Sequence, residues 1–146
     1  MSISANDALV NSPCWSKSVL IVTFDEWGGF FDHVAPPRVV APNAVDTDLV
    51  DGRALLGLRV PTVIVSPFSM GSPLIPRVNS TVFDHTSVLK LIQWRWNLPS
   101  LTARDASDEV GNLASVLDFS NPRTKLPLLP VAVPVAKSPC DVSVSE

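Results

Sequence analysis

Val19-Leu20-Ile21-Val22-Thr23-Phe24, followed at once by Asp25-Glu26-Trp27-Gly28-Gly29-Phe30-Phe31-Asp32-His33, is the stretch on which the reading of this chain turns. Its first six residues are apolar, β-branched or aromatic without clean alternation, the pattern of a strand buried on both faces as in parallel sheets. Two acids then stand at the strand's carboxyl end, the edge of an open α/β sheet where ligands bind. Gly28 and Gly29 allow a sharp turn or the close approach of a ligand, because neither carries a Cβ.

Working outward, Asn6 to Asn11 reads as the end of a helix, stopped by Ser12-Pro13 because proline disfavours α geometry in the residue before it. Strand one runs from about Ser18 to Phe24. Pro36, Pro37 and Pro42 then impose an extended loop. Asp46, Asp48 and Asp51 make it acidic, but their spacing lacks the Gly and distal Glu of an EF-hand, so a solvated turn is expected. Arg59 to Ser66 is a second strand with Pro61 at its start, where a missing backbone donor matters little. Met70 to Asn79 reads as loop. The clearest helix spans about Thr86 to Trp96, capped by Asp84 or Thr86, with Val88, Leu89, Ile92 and Trp96 on one face and Pro99 ending it. A weaker helix is expected near Asn112 to Leu117. From Pro122 onward repeated prolines favour extended, polyproline-like chain. Two strands and one strong helix do not complete a buried parallel sheet, which argues that part of the sheet is missing.

Composition narrows the function classes. The chain has 146 residues, a formal net charge of −3, 46% hydrophobic residues and 14 prolines. An acidic balance argues against a nucleic-acid partner, which needs a basic face to displace counterions. Cys14 and Cys140 have no metal-type spacing and decide neither redox compartment nor pairing. Met1 to Ala8 lacks the basic start and apolar core of a signal peptide, which fits the cytoplasm if Met1 is the true start and leaves secretion open otherwise. Leu126 to Ala136, broken by Pro127, Pro130 and Pro134, is too short for a transmembrane segment. No Gly-x-Ser-x-Gly elbow, phosphate loop or Cys-x-x-Cys is present.

Adjacent carboxylates at a sheet edge repel unless something compensates them. One solution is a hard divalent cation; the other is a turn in which Asp25 accepts backbone N–H bonds and Glu26 faces water. Asp32-His33 lies beyond the glycine turn. There His33 either serves a phosphate oxygen or leaving group, with Asp32 orienting it, or packs against Phe30 or Phe31. His85 falls near a helix N-terminus, a setting that suits an anion but equally belongs to a plain capping motif. Arg59 is expected to pair with an acid or remain solvated rather than contact phosphate.

Taken together, Ser12-Pro13, Trp15, Val22 to Glu26, Gly28 to Val34, Pro36-Pro37, Leu58 to Thr62, Val65 to Phe68 and Phe83 to Leu89 resemble the phosphoesterase family of non-specific phospholipases C and an acid phosphatase, within the alkaline phosphatase superfamily. The resemblance covers roughly Asn11 to Arg123. It implies a phosphoric-ester hydrolase with an α/β/α sandwich core, truncated at its N-terminal side. Residues 1–121 would be the C-terminal part of the catalytic domain and 122–146 a proline-rich tail. It further implies Asp25 and Glu26 as ligands of a divalent metal cation, His33 and His85 as catalytic candidates, and a phosphate monoester or phospholipid as substrate. The chain departs from the family in having Trp27 where relatives often carry His. It also lacks the Glu-Asn metal pair and the Ser or Thr nucleophile of the family's N-terminal half, so a missing N-terminal half is an expected partner and the chain alone is expected to be inactive. A non-catalytic module that pairs through its sheet edges is the alternative.

Overall fold

A computed structural model describes residues 5–43, 48–69 and 78–125. In chain order the elements are α1 (Ala5–Val10), a 3₁₀ turn (Trp15–Lys17), β1 (Leu20–Thr23), β2 (Arg38–Val40), β3 (Arg53–Leu55), β4 (Thr62–Val65), α2 (His85–Trp96), α3 (Ala103–Ala106) and a second 3₁₀ turn (Leu113–Val116). This mixed helix and sheet content is that of an α/β chain. The expected strands and the strong helix are present, each a little shorter than or shifted from its sequence reading, and Pro61 stands just before β4 as expected.

The pairing of the strands differs from expectation. β1 runs antiparallel to β4, with Leu20 opposite Val65 and Thr23 opposite Thr62, whereas the unalternating apolar run had suggested a parallel sheet. Such a run signals that both faces need cover, and it does not specify strand direction. Among the described residues that cover is incomplete: the facing pair Val22 and Val63 is 50% and 57% exposed. A small apolar core instead includes Val10, Trp15, Ala41, Val110, Leu113 and Leu117.

The proline-rich stretch after the glycine turn holds a hairpin in place of the expected loop. β2 and β3 pair antiparallel, and Val50 and Arg53 exchange backbone bonds of 3.1 and 3.0 Å around Asp51-Gly52. Both turn residues have positive φ, 51° and 73°, the geometry for which Asp-Gly is favoured in two-residue hairpins. Asp51 thus belongs to a solvated turn rather than a calcium loop. Asp46, most of Met70 to Asn79, Cys140 and the tail from residue 126 lie outside the described residues. Cys14 is exposed and has no disulfide partner among the described residues. No helix among the described residues is long and apolar enough to cross a membrane.

Helix α2 starts where Asp84 makes it start. The Asp84 carboxylate accepts from Thr86 N at 2.8 Å and Ser87 N at 3.2 Å, while Ser87 Oγ accepts from Asp84 N at 3.1 Å, a reciprocal capping box. Its last turn closes at Asn97 in the left-handed conformation, φ 52°, ahead of Pro99. The inward face of α2 is more polar than its apolar spacing suggested. Ile92 and Trp96 are 39% and 61% exposed, while Lys90 Nζ donates to Ser107 O at 2.7 Å and Gln93 Nε2 donates to Asp105 at 2.6 Å. α3 and its flanking turn, which carry polar partners, pack here, so the helix turns Ser87, Lys90 and Gln93 toward them.

Two acids, Asp105 buried and Asp84 largely covered, hold this corner. The Arg104 guanidinium pairs with Asp84 through Nε and Nη2, and both side chains are largely covered, 8% and 14% exposed. Burial opposes the charge on Asp84, but the hydrogen bonds from Thr86 and Arg104 outweigh it and hold the carboxyl below its ordinary range. Asp105 is similar: its burial is outweighed by bonds from Thr102, Gln93 and the Leu101 amide, and its carboxyl also lies below the ordinary range.

Asp84→Ala removes a cap and strands a buried guanidinium, so urea unfolding is expected to show a loss of about 3 kcal/mol, with Asp84→Asn costing less because the cap survives. A loss under about 1 kcal/mol for Asp84→Ala would show that the cap and pair do not hold this corner. Because the Asp105 pKa is depressed by folding, its stabilisation is present above the unfolded value and lost as pH falls through the folded one. Asp105→Asn should therefore flatten the decline in stability below about pH 4, read from melting temperatures across an acid series.

Candidate functional site

The sheet ladder ends at Thr23, whose Oγ1 lies 2.7 Å from Thr62 Oγ1. Phe24, Asp25 and Glu26 follow, all exposed. Neither the Asp25 nor the Glu26 carboxylate takes a hydrogen bond or an ion pair from any described group. The turn in which backbone amides satisfy Asp25 is therefore not what the chain forms. Two exposed carboxylates on consecutive residues offer hard oxygen donors of the kind that suit a divalent cation such as Mg²⁺ or Ca²⁺. They do not complete a site: the described residues contain no group of three or more His, Cys, Asp or Glu side chains arranged to hold a metal.

After Trp27 the chain reverses through Gly28 and Gly29, at φ 69° and 78°. A Cβ on Gly28 would meet the Phe30 ring at 3.3 Å in a backbone conformation that side chains already disfavour. The reversal delivers Asp32 to Arg59, just ahead of β4. Arg59 Nε donates to Asp32 Oδ2 at 2.7 Å and Nη2 to Oδ1 at 2.8 Å, a two-pronged pair, and the Arg59 amide adds a longer bond of 3.3 Å. The guanidinium holds the Asp32 carboxyl well below the usual carboxylate range, and the carboxylate raises Arg59 in turn.

This pairing settles what Asp32 does. His33 Nδ1 is 3.5 Å from Asp32 Oδ1 and its side chain is 85% exposed; the carboxylate's shorter, better bonds go to Arg59. Asp32 orients the turn more than it orients His33. His33 is not packed against Phe30 or Phe31 in a core, since those rings are themselves 78% and 91% exposed. Sequence reasoning foresaw an acidic partner for Arg59 but not which acid, because the residues are 27 positions apart and no local pattern links them. Beside the pair lies an open depression of about 370 Å³, lined by Trp27, Phe30, Phe31, Asp32, Arg59, Val60 and Pro61.

His85 arrives from the other side. As the first residue of α2 it places Nε2 3.0 Å from the Phe24 carbonyl oxygen, 61 positions earlier. The backbone just before Asp25-Glu26 is thereby tied to a helix N-terminus, and His85 sits at the same strand end as the two acids. His33 stands at the far end of the glycine turn.

Comparison with known proteins agrees with the motif reading. The model of the Phosphoesterase family matches residues 2–99. The chain is 41% identical over 129 residues to Phospholipase C A of Mycobacterium tuberculosis, covering 78% of this chain and 24% of that protein. It is 36% identical over 148 residues to Non-hemolytic phospholipase C of Pseudomonas aeruginosa, covering 85% of this chain and 20% of that one. Non-specific phospholipase C6 of Arabidopsis thaliana is 36% identical over 148 residues, 88% and 27% of the two chains. The chain thus spans about a quarter of the length of the curated relatives it matches.

Arg59→Ala should release the far end of the glycine turn. Limited proteolysis is expected to cut between Trp27 and Val34 at least several-fold faster, with little change in melting temperature because the Arg59 side chain is 61% exposed. Equal cleavage rates in the two proteins would show that the pair does not order the turn.

Proposed function

Taking as premise that this chain belongs to the phosphoesterase family, we propose that it supplies one wall of the metal site of a phosphoric-ester hydrolase of the phospholipase C or acid phosphatase type. The observation that carries this reading is the pair Asp25 and Glu26: adjacent, exposed, at a strand's carboxyl end, with no partner among the described residues. Their oxygens would hold a divalent cation, which when bound would polarise a phosphoryl oxygen and stabilise charge developing on phosphorus. The bond from His85 to the Phe24 carbonyl and the Asp32–Arg59 pair fix the backbone on either side of the two acids. His33, exposed beyond the turn, would donate a proton to a departing oxygen. The names of the relatives favour a phospholipid over a simple monoester as substrate. A hydroxyl nucleophile, which would form a covalent phosphoenzyme that water then hydrolyses, is supplied by polypeptide beyond this chain.

A second reading rests on a separate observation. Val22, Phe24 and Val63 expose apolar surface along the β1–β4 pair, and each strand keeps an edge with no partner strand among the described residues. Such a surface supports a non-catalytic module that associates through its sheet with another chain.

The chain alone is expected to show little or no turnover of an aryl phosphate or of phosphatidylcholine. Co-expression with the segment corresponding to the relatives' remaining catalytic domain should give a complex on size-exclusion chromatography with turnover that falls at least about 100-fold in Asp25→Ala, as for loss of a group that stabilises charge in the transition state. Robust turnover by the chain alone, or restored turnover indifferent to Asp25→Ala, contradicts the proposal. A stable, inactive self-dimer supports the interaction module instead.

A further inference from the structure

Resting on the reading of Asp25 and Glu26 as metal ligands, we propose that His85 is a positioning residue for that pair: its ring N–H, donated to the Phe24 carbonyl, sets the direction in which the end of β1 presents the two carboxylates. The ladder between β1 and β4 stops at Thr23 opposite Thr62, so the Phe24 carbonyl has no strand partner to fix its plane. Its contact with Thr23 Oγ1 is long, 3.4 Å; the bond from His85 Nε2, at 3.0 Å, is the better one. The Phe24 side chain gives no anchorage either, being 60% exposed. With no described group hydrogen-bonded to or ion-paired with the Asp25 or Glu26 carboxylate, the orientation of both rests on the backbone before them, and that backbone is held by His85.

The chemistry of the contact also fixes the ring. A carbonyl oxygen only accepts, so the proton must be on Nε2. That commits Nε2 to the backbone and withdraws it from any role toward a phosphoryl oxygen. The base of the pin is rigid, because His85 follows directly on Asp84, whose carboxylate caps α2 and is gripped by the buried Arg104. At the other end of the glycine turn the Asp32–Arg59 pair makes the second attachment. The acids thus lie in a segment fastened at both ends, and His85 is the fastening nearer to them. A histidine that orients a ligand's backbone without touching the ion acts as outer-sphere partners do in other metal sites.

The test uses the full chain labelled with ¹⁵N and titrated with Mn²⁺ alone, reading paramagnetic broadening of the Asp25, Glu26 and Trp27 amides, together with hydrogen exchange at those amides. His85→Ala is expected to need about tenfold more Mn²⁺ for half-broadening, the lower end of the usual effect of an outer partner. Exchange at Asp25 and Glu26 should also quicken, with the circular dichroism unchanged. His85→Gln, whose amide N–H reaches about as far as Nε2, should restore both to within about threefold, since it can remake the bond to the carbonyl. Unchanged exchange and unchanged Mn²⁺ response in His85→Ala overturn the proposal; so does a ring spectrum of the unsubstituted chain with the proton on Nδ1 and Nε2 bare. Absence of broadening near Asp25 and Glu26 in the unsubstituted chain defeats the metal reading instead, and the exchange rates then decide the role of His85. Should His85→Ala lose its fold, His85→Gln and the ring spectrum decide it.

Discussion

One carboxylate, that of Asp84, organises the part of the chain where chemistry is expected. It satisfies the first free amides of α2, which fixes where the helix begins and therefore makes His85 its first residue. It also binds the buried Arg104 guanidinium, coupling α2 to α3. Neither arrangement is independent of the other: a charge this covered persists only because the guanidinium and the helix amides compensate it together. From that fixed point His85 reaches the Phe24 carbonyl, and the strand end that carries Asp25 and Glu26 is held in place.

The β1–β4 pair supplies the other half of the frame. Its strands are joined by a short antiparallel ladder, and the Thr23–Thr62 hydroxyl contact closes it at the end nearest the acids. Beyond the ladder the chain turns on two glycines in the left-handed region and comes back to Arg59. The same local design that exposes Asp25 and Glu26 also exposes Trp27, Phe30 and Phe31. These rings line the depression beside Asp32 and Arg59, and exposed apolar surface of this kind is characteristic of a site wall that meets other surface, whether substrate or polypeptide.

Much of this was legible in the residues because its causes are local. The unalternating apolar run marked β1, Asp84 or Thr86 ahead of the helical spacing marked a cap, and Gly28-Gly29 marked the reversal. The motif set from Ser12 to Leu89 led to the family. What escaped depends on contacts distant in sequence. Strand direction was not encoded in the apolar run, which demands covered faces and is silent on polarity. The partners Asp32 and Arg59, Asp84 and Arg104, and His85 and Phe24 meet only after the chain has folded. The β2–β3 hairpin was the one avoidable omission: Asp51-Gly52 is a recognised two-residue turn signal, masked by the prolines and acids around it. The inward face of α2 escaped for another reason, since hydrophobic spacing pointed to Ile92 and Trp96 while polar neighbours drew Ser87, Lys90 and Gln93 inward.

The account stands on Asp25 and Glu26 sharing one cation. Anomalous diffraction from crystals grown with Mn²⁺, of the chain together with the polypeptide that completes its domain, addresses this directly. A strong peak within about 2.5 Å of oxygens from both carboxylates is the expected result. A peak coordinated elsewhere, with Asp25 and Glu26 pointing apart into solvent, would contradict it.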